Sequence, residues 1–150
     1  MPNSDTPDVD VAPWPAPLRL RTPALSSHVR GLRRRLSRWL PVDHFDVGVV
    51  EDLVAAVSEA LENCCDHAFA DAAASGTMTL SARTLDECLR VSVVDDGVWQ
   101  IPDTGPTTRG RGIAMIRALI DDVVISSGLE GTQVDLTHHV PGCGSHALAQ

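Results

Sequence analysis

Val57 to Phe69 reads VSEALENCCDHAF and places Glu59, Asn63 and His67 four residues apart, on one face of a helix. Val50, Leu53, Val54, Val57, Leu61 and Cys64 recur at helical intervals beside that face. One long helix, opened by Asp43 or Asp46 and running to about Ala70, thus carries a buried stripe and a polar row side by side. The polar row has the chemistry to hold a metal-bound nucleotide, because magnesium takes one or two oxygens from protein and the rest from phosphates and water. Asn63 offers a neutral carbonyl oxygen; Glu59, one turn earlier, can accept a proton from an attacking hydroxyl or fix a metal-bound water. Taken alone, the pair reads equally as two solvent-facing helix residues, and His67 as a structural residue of the same helix.

Working outward, Leu18 and Leu20 alternate with Arg19 and Arg21 in a short strand that ends at Thr22-Pro23. Ser26 or Ser27 is placed to cap a helix with Val29, Leu32, Leu36 and Trp39 or Leu40 on its apolar face, closed by Pro41. Arg30, Arg33, Arg34, Arg35 and Arg38 give the other face a solvated character, or a docking surface for an acidic partner. After the long helix, Met78, Leu80 and Ala82 alternate with polar residues, a turn falls at Thr84 to Glu87, and Leu89, Val91, Val93 and Asp95 form the inward row of a second strand. A helix from Gly112 follows, then strands at Val123 to Ser126 and Thr132 to Thr137 around a glycine turn. The order predicts an α+β fold: a two-layer α/β sandwich with a mixed, mostly antiparallel sheet and helices on one face. Residues 1–16 form a proline-rich tail, 17–140 one domain, and 141–150 a loose end.

Composition removes several functions. All twelve basic residues are arginine. Without lysine, a P-loop, an ordinary protein-kinase strand lysine and Schiff-base chemistry are excluded, so phosphates must be held by backbone N–H groups, a metal and arginine. A net charge of −8 argues against gripping nucleic acid through its phosphates. No apolar run approaches a membrane span, and the start lacks the basic patch and apolar run of a secretory signal, so the cytoplasm is the expected location. Cys64, Cys65, Cys88 and Cys143 match no CxxC pattern and read as free thiols. His138, His139, Cys143 and His146 have no standard zinc spacing.

Three further pieces bear on the same chemistry. VVDDG (Val93 to Gly97) ends an apolar row in Asp95, a buried carboxylate that needs a donor such as the exocyclic amine of adenine, while Gly97 leaves room for the base. The Asp96-Gly97 pair alone would read as a turn. RGRGI (Arg109 to Ile113) sets Gly110 and Gly112 at a helix start, where N–H groups attract anions, with Arg109 and Arg111 adding charge. GTQVDL (Gly131 to Leu136) offers the Thr132 hydroxyl, either near the base through water or as an ordinary strand residue.

Taken together, ENCCDHA resembles the N box, VVDDG the first glycine box and GRGI the second of the histidine-kinase-like ATPase superfamily, the GHKL or Bergerat fold, over roughly residues 17 to 140. Their spacing looks like that of the anti-sigma-factor serine kinases of bacterial partner-switching systems. The resemblance implies ATP and Mg2+ as cofactors and a homodimer that sequesters a sigma factor and phosphorylates a serine of an anti-anti-sigma antagonist. The alternative is a nucleotide-binding regulatory module that binds such a partner without phosphorylating it. Carried over residue by residue, the resemblance makes Glu59 the general base and Asn63 the magnesium ligand. Asp95 and Gly97 become adenine contacts, and Arg109, Gly110, Arg111 and Gly112 the phosphate lid, with Thr132 beside the base. Trp99 stands where the first glycine box often continues to another glycine.

Overall fold

The computed structural model of the chain describes residues 15–40, 45–67, 76–85, 88–96, 110–128 and 131–139. Alternating apolar and polar residues build strands β1 (Leu18–Pro23), β2 (Thr77–Leu85), β3 (Cys88–Asp95), β4 (Asp122–Gly128) and β5 (Gly131–His139). Helices α1 (Ser26–Trp39), α2 (Val47–His67) and α3 (Gly110–Leu119) lie between them in the chain. The strands form one sheet in the order β1-β2-β3-β5-β4, and all four pairings are antiparallel. This is the expected α+β architecture, and no parallel pair occurs among the described strands.

Register decides which residues face the helices. Leu80 pairs with Leu20 and Val93, and Val93 with Val134; Leu89, Val91, Val93 and Leu136 are all buried. This row packs with Val29, Leu32 and Leu36 of α1, Leu53, Val57 and Leu61 of α2, and Ile116 of α3 in a single core. The opposite side of each strand carries polar residues such as Ser81, Arg83, Arg90 and Asp135, with Val94 and Val124 exposed among them. A two-period alternation tolerates no slip of one residue, since that would exchange the two rows.

Local starts and stops differ from the sequence reading in instructive ways. Neither Ser26 nor Ser27 caps α1; the N-cap is Leu25, with no side-chain cap bond. The Leu25 N–H goes to the Pro23 carbonyl, the Ala24 N–H to Gly76 and the His28 N–H to Leu25, each at 2.9 Å. Backbone already folded by the end of β1 therefore starts the helix, and a serine hydroxyl is not required. Asp46, the nearer of the two expected starts of α2, gives its carbonyl to the Val50 N–H at 3.1 Å. α3 begins at Gly110, two residues earlier than expected, and His138 and His139 belong to β5. The Trp39 indole N–H donates to the Ala16 carbonyl at 2.7 Å, tying the approach to β1 to the end of α1. Among the described residues no helix is long and apolar enough to cross a membrane.

Leu61 is fully buried between α2 and the sheet. Leu61→Ala should lower unfolding free energy by about 2–5 kcal/mol, measured in urea, with an unchanged slope against denaturant if the unfolded state is unaltered.

Candidate functional site

The polar row of α2 meets the start of α3. Glu59 and Asn63 are both half-buried, and the residue that sits against them is Gly112. A methyl group built on Gly112 would lie 2.9 Å from Glu59 Oε2 and 3.8 Å from Asn63 Nδ2. The first of these is closer than real side chains come, so only a glycine lets α3 approach the carboxylate without displacing it. Gly110 and Arg111 occupy the first turn of the same helix, which brings the unpaired N–H groups of a helix start near the Glu59–Asn63 pair. A carboxylate, a carboxamide and helix N–H groups make a set suited to a hard cation and its attached phosphates. Among the described residues no group of three or more His, Cys, Asp or Glu is arranged to hold a metal by itself. Any ion here would draw ligands from phosphate and water.

One residue beyond Asn63 the helix turns inward. Cys64 is 4% exposed, as is Asp95 at the end of β3, and the Asp95 carboxylate acts on the Cys64 thiol. Burial, then the Asp95 charge, push the Cys64 thiol far above its ordinary range, so the sulfur keeps its proton. Cys65, on a different side of α2, is only partly buried and lies 3.9 Å from the Met78 sulfur. Asp95 pairs in register with Met78 on one side and Thr132 on the other, which places all three side chains on the helix-facing side of the sheet.

Thr132 is 3% exposed, and among the described residues its hydroxyl has no hydrogen-bond partner. Buried hydroxyls rarely go unsatisfied, and this one is aligned with a buried carboxylate, so the pair suits a ligand that both donates and accepts. A hollow of about 490 Å³ opens at this end of the sheet, lined by the exposed Val94 and Gln133 of the opposite row and by Ser126, Ser127, Gly128 and Gly131 as well as Asp95 and Thr132. Its lining does not include Glu59 or Asn63. Gly131 has φ +133°, and a side chain there would collide with the Asp95 backbone. That glycine lets the start of β5 lie against the Asp95 backbone.

Asp96, which the sequence suggested as a turn residue, is instead a clasp between strands. Its carboxylate accepts the Thr77 N–H at 2.9 Å and the Thr77 hydroxyl at 2.8 Å, and its own N–H reaches back to the Thr77 carbonyl at 3.3 Å. Arg21 donates to the same hydroxyl at 3.4 Å. Burial pulls the Asp96 carboxyl upward, but the Thr77 donors, its own backbone N–H and the Arg21 charge outweigh it and hold the group below the usual aspartate range. Neighbouring Asp95 is thereby fixed at the strand end.

Of the residues read from the sequence, Glu59, Asn63 and Gly112 come together between α2 and α3, and Asp95 and Thr132 come together across β3 and β5. Gly110 and Arg111 stand at the start of α3. Gly97, Arg109 and Trp99, as well as Cys143 and His146, lie outside the described residues, as do the side chains of His67 and Arg111. Cys64, Asp96 and the Ser126–Gly128 wall were not read as part of the site. Cys64 carried one usable signal: it ends the apolar stripe directly beside Asn63. The His138 and His139 rings are held within β5's surroundings, His138 Nδ1 at 3.4 Å and the His139 N–H at 2.9 Å from Asp121 Oδ2, and His139 Nδ1 at 3.1 Å from the Cys88 sulfur.

A helix carrying a Glu–Asn row, a glycine helix start laid against it and an acid ending a central antiparallel strand define a class of nucleotide-handling domain. Residues 22–138 match the histidine kinase-like ATPase domain, and the chain belongs to that family. Within it, the chain is 28% identical to the serine-protein kinase RsbW of Listeria innocua, an alignment covering 82% of this chain and 87% of that protein. It also superimposes, at a TM-score of 0.67 and 29% identity, on the structure of the RsbU and RsbW domains of Rv1364c from Mycobacterium tuberculosis, over 83% of this chain. The match spans 32% of that longer chain. The histidine kinase domain of the blue-light activated histidine kinase from Erythrobacter litoralis EL346 shares the fold at 23% identity and a TM-score of 0.54. The resemblance to the anti-sigma-factor serine kinase branch is borne out by these matches.

The Asp96 clasp makes a prediction about pH. Because its folded pKa is depressed, the clasp contributes stability that is present above the unfolded aspartate value and is lost as pH falls through the folded one, below about pH 4. Asp96→Ala should be less stable than the parent at neutral pH and show a shallower loss on acidification, read as the difference between two thermal melting curves across pH. Parallel curves would remove the clasp.

Proposed function

We propose that this chain is an ATP-dependent protein serine kinase that also sequesters a sigma factor, and that its phosphate acceptor is a serine of an anti-anti-sigma antagonist. The observation that carries the reading is the approach of Gly112 to Glu59 and Asn63 on α2, whose next residue, Cys64, is buried with Asp95, the register partner of Thr132. Glu59 would take the proton of an incoming serine hydroxyl, and Asn63 would hold magnesium. Asp95 accepts from the purine amine, and Thr132 satisfies its orphan hydroxyl at the base. Magnesium, when bound to ATP, neutralises charge building on the transferred phosphoryl group. The N–H groups at the start of α3, with Gly110 and Arg111, steady the phosphates, and Gly97 and Arg109 are assigned to the same lid.

Support for the partner side comes from the likeness to RsbW serine-protein kinases and from α1. There Arg30, Arg33, Arg34, Arg35 and Arg38 form an exposed basic face on an otherwise acidic chain. Such a face favours acidic protein surfaces and speeds their encounter. We assign the protein to the cytoplasm and expect it to act as a homodimer.

ATP labelled on its γ-phosphate, magnesium and a panel of candidate antagonists should yield a labelled serine. Glu59→Ala should keep ATP affinity nearly intact while transfer falls by about 100-fold or more. Transfer that survives this change would remove the general-base role, and ATP binding without a labelled serine on any partner would favour a regulatory module.

A further inference from the structure

Resting on the homodimer expected above and not on the kinase chemistry, we propose that the helix-free face of the sheet docks a second copy of this chain, turned over about a two-fold axis that runs parallel to the strands between β3 and β5.

The face is sorted by charge. Arg19 of β1, Arg83 of β2 and Arg90 of β3 stand exposed on one half of it; Asp122 of β4, exposed, and Asp135 of β5, half-buried, stand on the other. Among the described residues the one ion pair joins His138 to Asp121, so none of these five charges is neutralised within the chain. Asp135 accepts the Gln133 amide at 2.8 and 3.0 Å, which orients its carboxylate and leaves its charge in place. The acid on the basic half, Asp96, is already taken up by Thr77 and Arg21. A wholly acidic partner would set like charge against Asp122 and Asp135, and a wholly basic one against the three arginines. A face that carries both signs in order is matched by its own reverse.

Register says how the copies lie. Arg83, Arg90, Thr137 and Asp122 form one row across four strands. Turning a copy over about the stated axis lays β2 on the partner's β4 and β3 on the partner's β5. Arg83 then meets the partner's Asp122, and by symmetry Asp122 meets the partner's Arg83. An axis across the strands would lay β2 on the partner's β2 and bring the basic halves together, so the charge order selects the first arrangement. Sheets stack face to face at about 10 Å with their strands within about 30°. The middle of this face is built from the short Ser81, Ser92 and Thr137, and a hollow of about 760 Å³ crosses all five strands, leaving room for the partner's arginine side chains. Val94 and Val124, 36% and 50% exposed, add apolar area that docking would take from water.

Sedimentation equilibrium of the full chain over a range of concentrations reads the outcome. The parent should be a dimer. Arg83→Asp alone and Asp122→Arg alone should each weaken self-association by about ten-fold or more, because each sets like charges opposite one another at two places. An equimolar mixture of the two variants should regain the parent's affinity, since both contacts then join opposite charges, and that recovery also reports that both variants are folded. The chain carrying both reversals should self-associate as the parent does. A dimer indifferent to both single reversals, or a mixture and a double variant that stay dissociated, would overturn this face and leave the homodimer standing. A parent that is monomeric throughout would remove the homodimer itself, and this inference with it, while the labelled-serine measurement would be untouched.

Discussion

A carboxylate kept out of water at the end of an apolar strand is the constraint around which this domain is arranged. Isolated buried charge is costly, by several kcal/mol even after relaxation, so Asp95 requires groups gathered around it. The fold supplies them from separate parts of the chain. Cys64 arrives from the long helix, Gly131 lets the last strand close against the Asp95 backbone, and Asp96 fastens the neighbouring position to Thr77. None of these residues is near another in the chain except Asp96. The acid is thus a product of the whole tertiary structure.

α2 does most of the joining because it serves two surfaces at once. Its stripe of Leu53, Val57 and Leu61 is locked into the core, which fixes the helix's rotation about its axis. That rotation then sets Glu59 and Asn63 towards α3 and Cys64 towards the sheet, since successive helical residues are about 100° apart. Packing energy holds the polar row in place, and the row's own contacts are weak by comparison. The absence of a side chain at Gly112 leaves the Glu59 carboxylate where it stands; a larger residue there would push aside the end of that flexible side chain.

Much of this is legible in the sequence. Two-residue and helical periodicities identified every described element. The alternation in β3 put Asp95 on the buried side, because the pleat leaves no other choice. Helix starts were harder. Ser26 and Ser27 looked like caps, yet backbone bonds at Ala24, Leu25 and His28 already satisfied the turn, and such bonds have no residue signature. Periodicity also names the face a residue occupies without naming what meets it. The approach of Gly112 to Glu59, the burial of Cys64 with Asp95 and the Asp96–Thr77 clasp span long separations in sequence, so they depend on how elements pack. His138 and His139 lie beyond the strand expected at Thr132 to Thr137; their pairing with Leu89 and Cys88 and the contacts with Asp121 extend β5 over them.

The sheet order leaves β3 in the middle, with β2 and β5 hydrogen-bonded along its two edges. Backbone amides in such a strand exchange with solvent deuterium only when the domain opens as a whole, while those of strands and helices at the margin exchange through small local openings. The acid therefore rides on the slowest-exchanging part of the molecule. Accommodation of anything that docks beside it falls to α3 and the edge strand β4, and not to the strand that carries it.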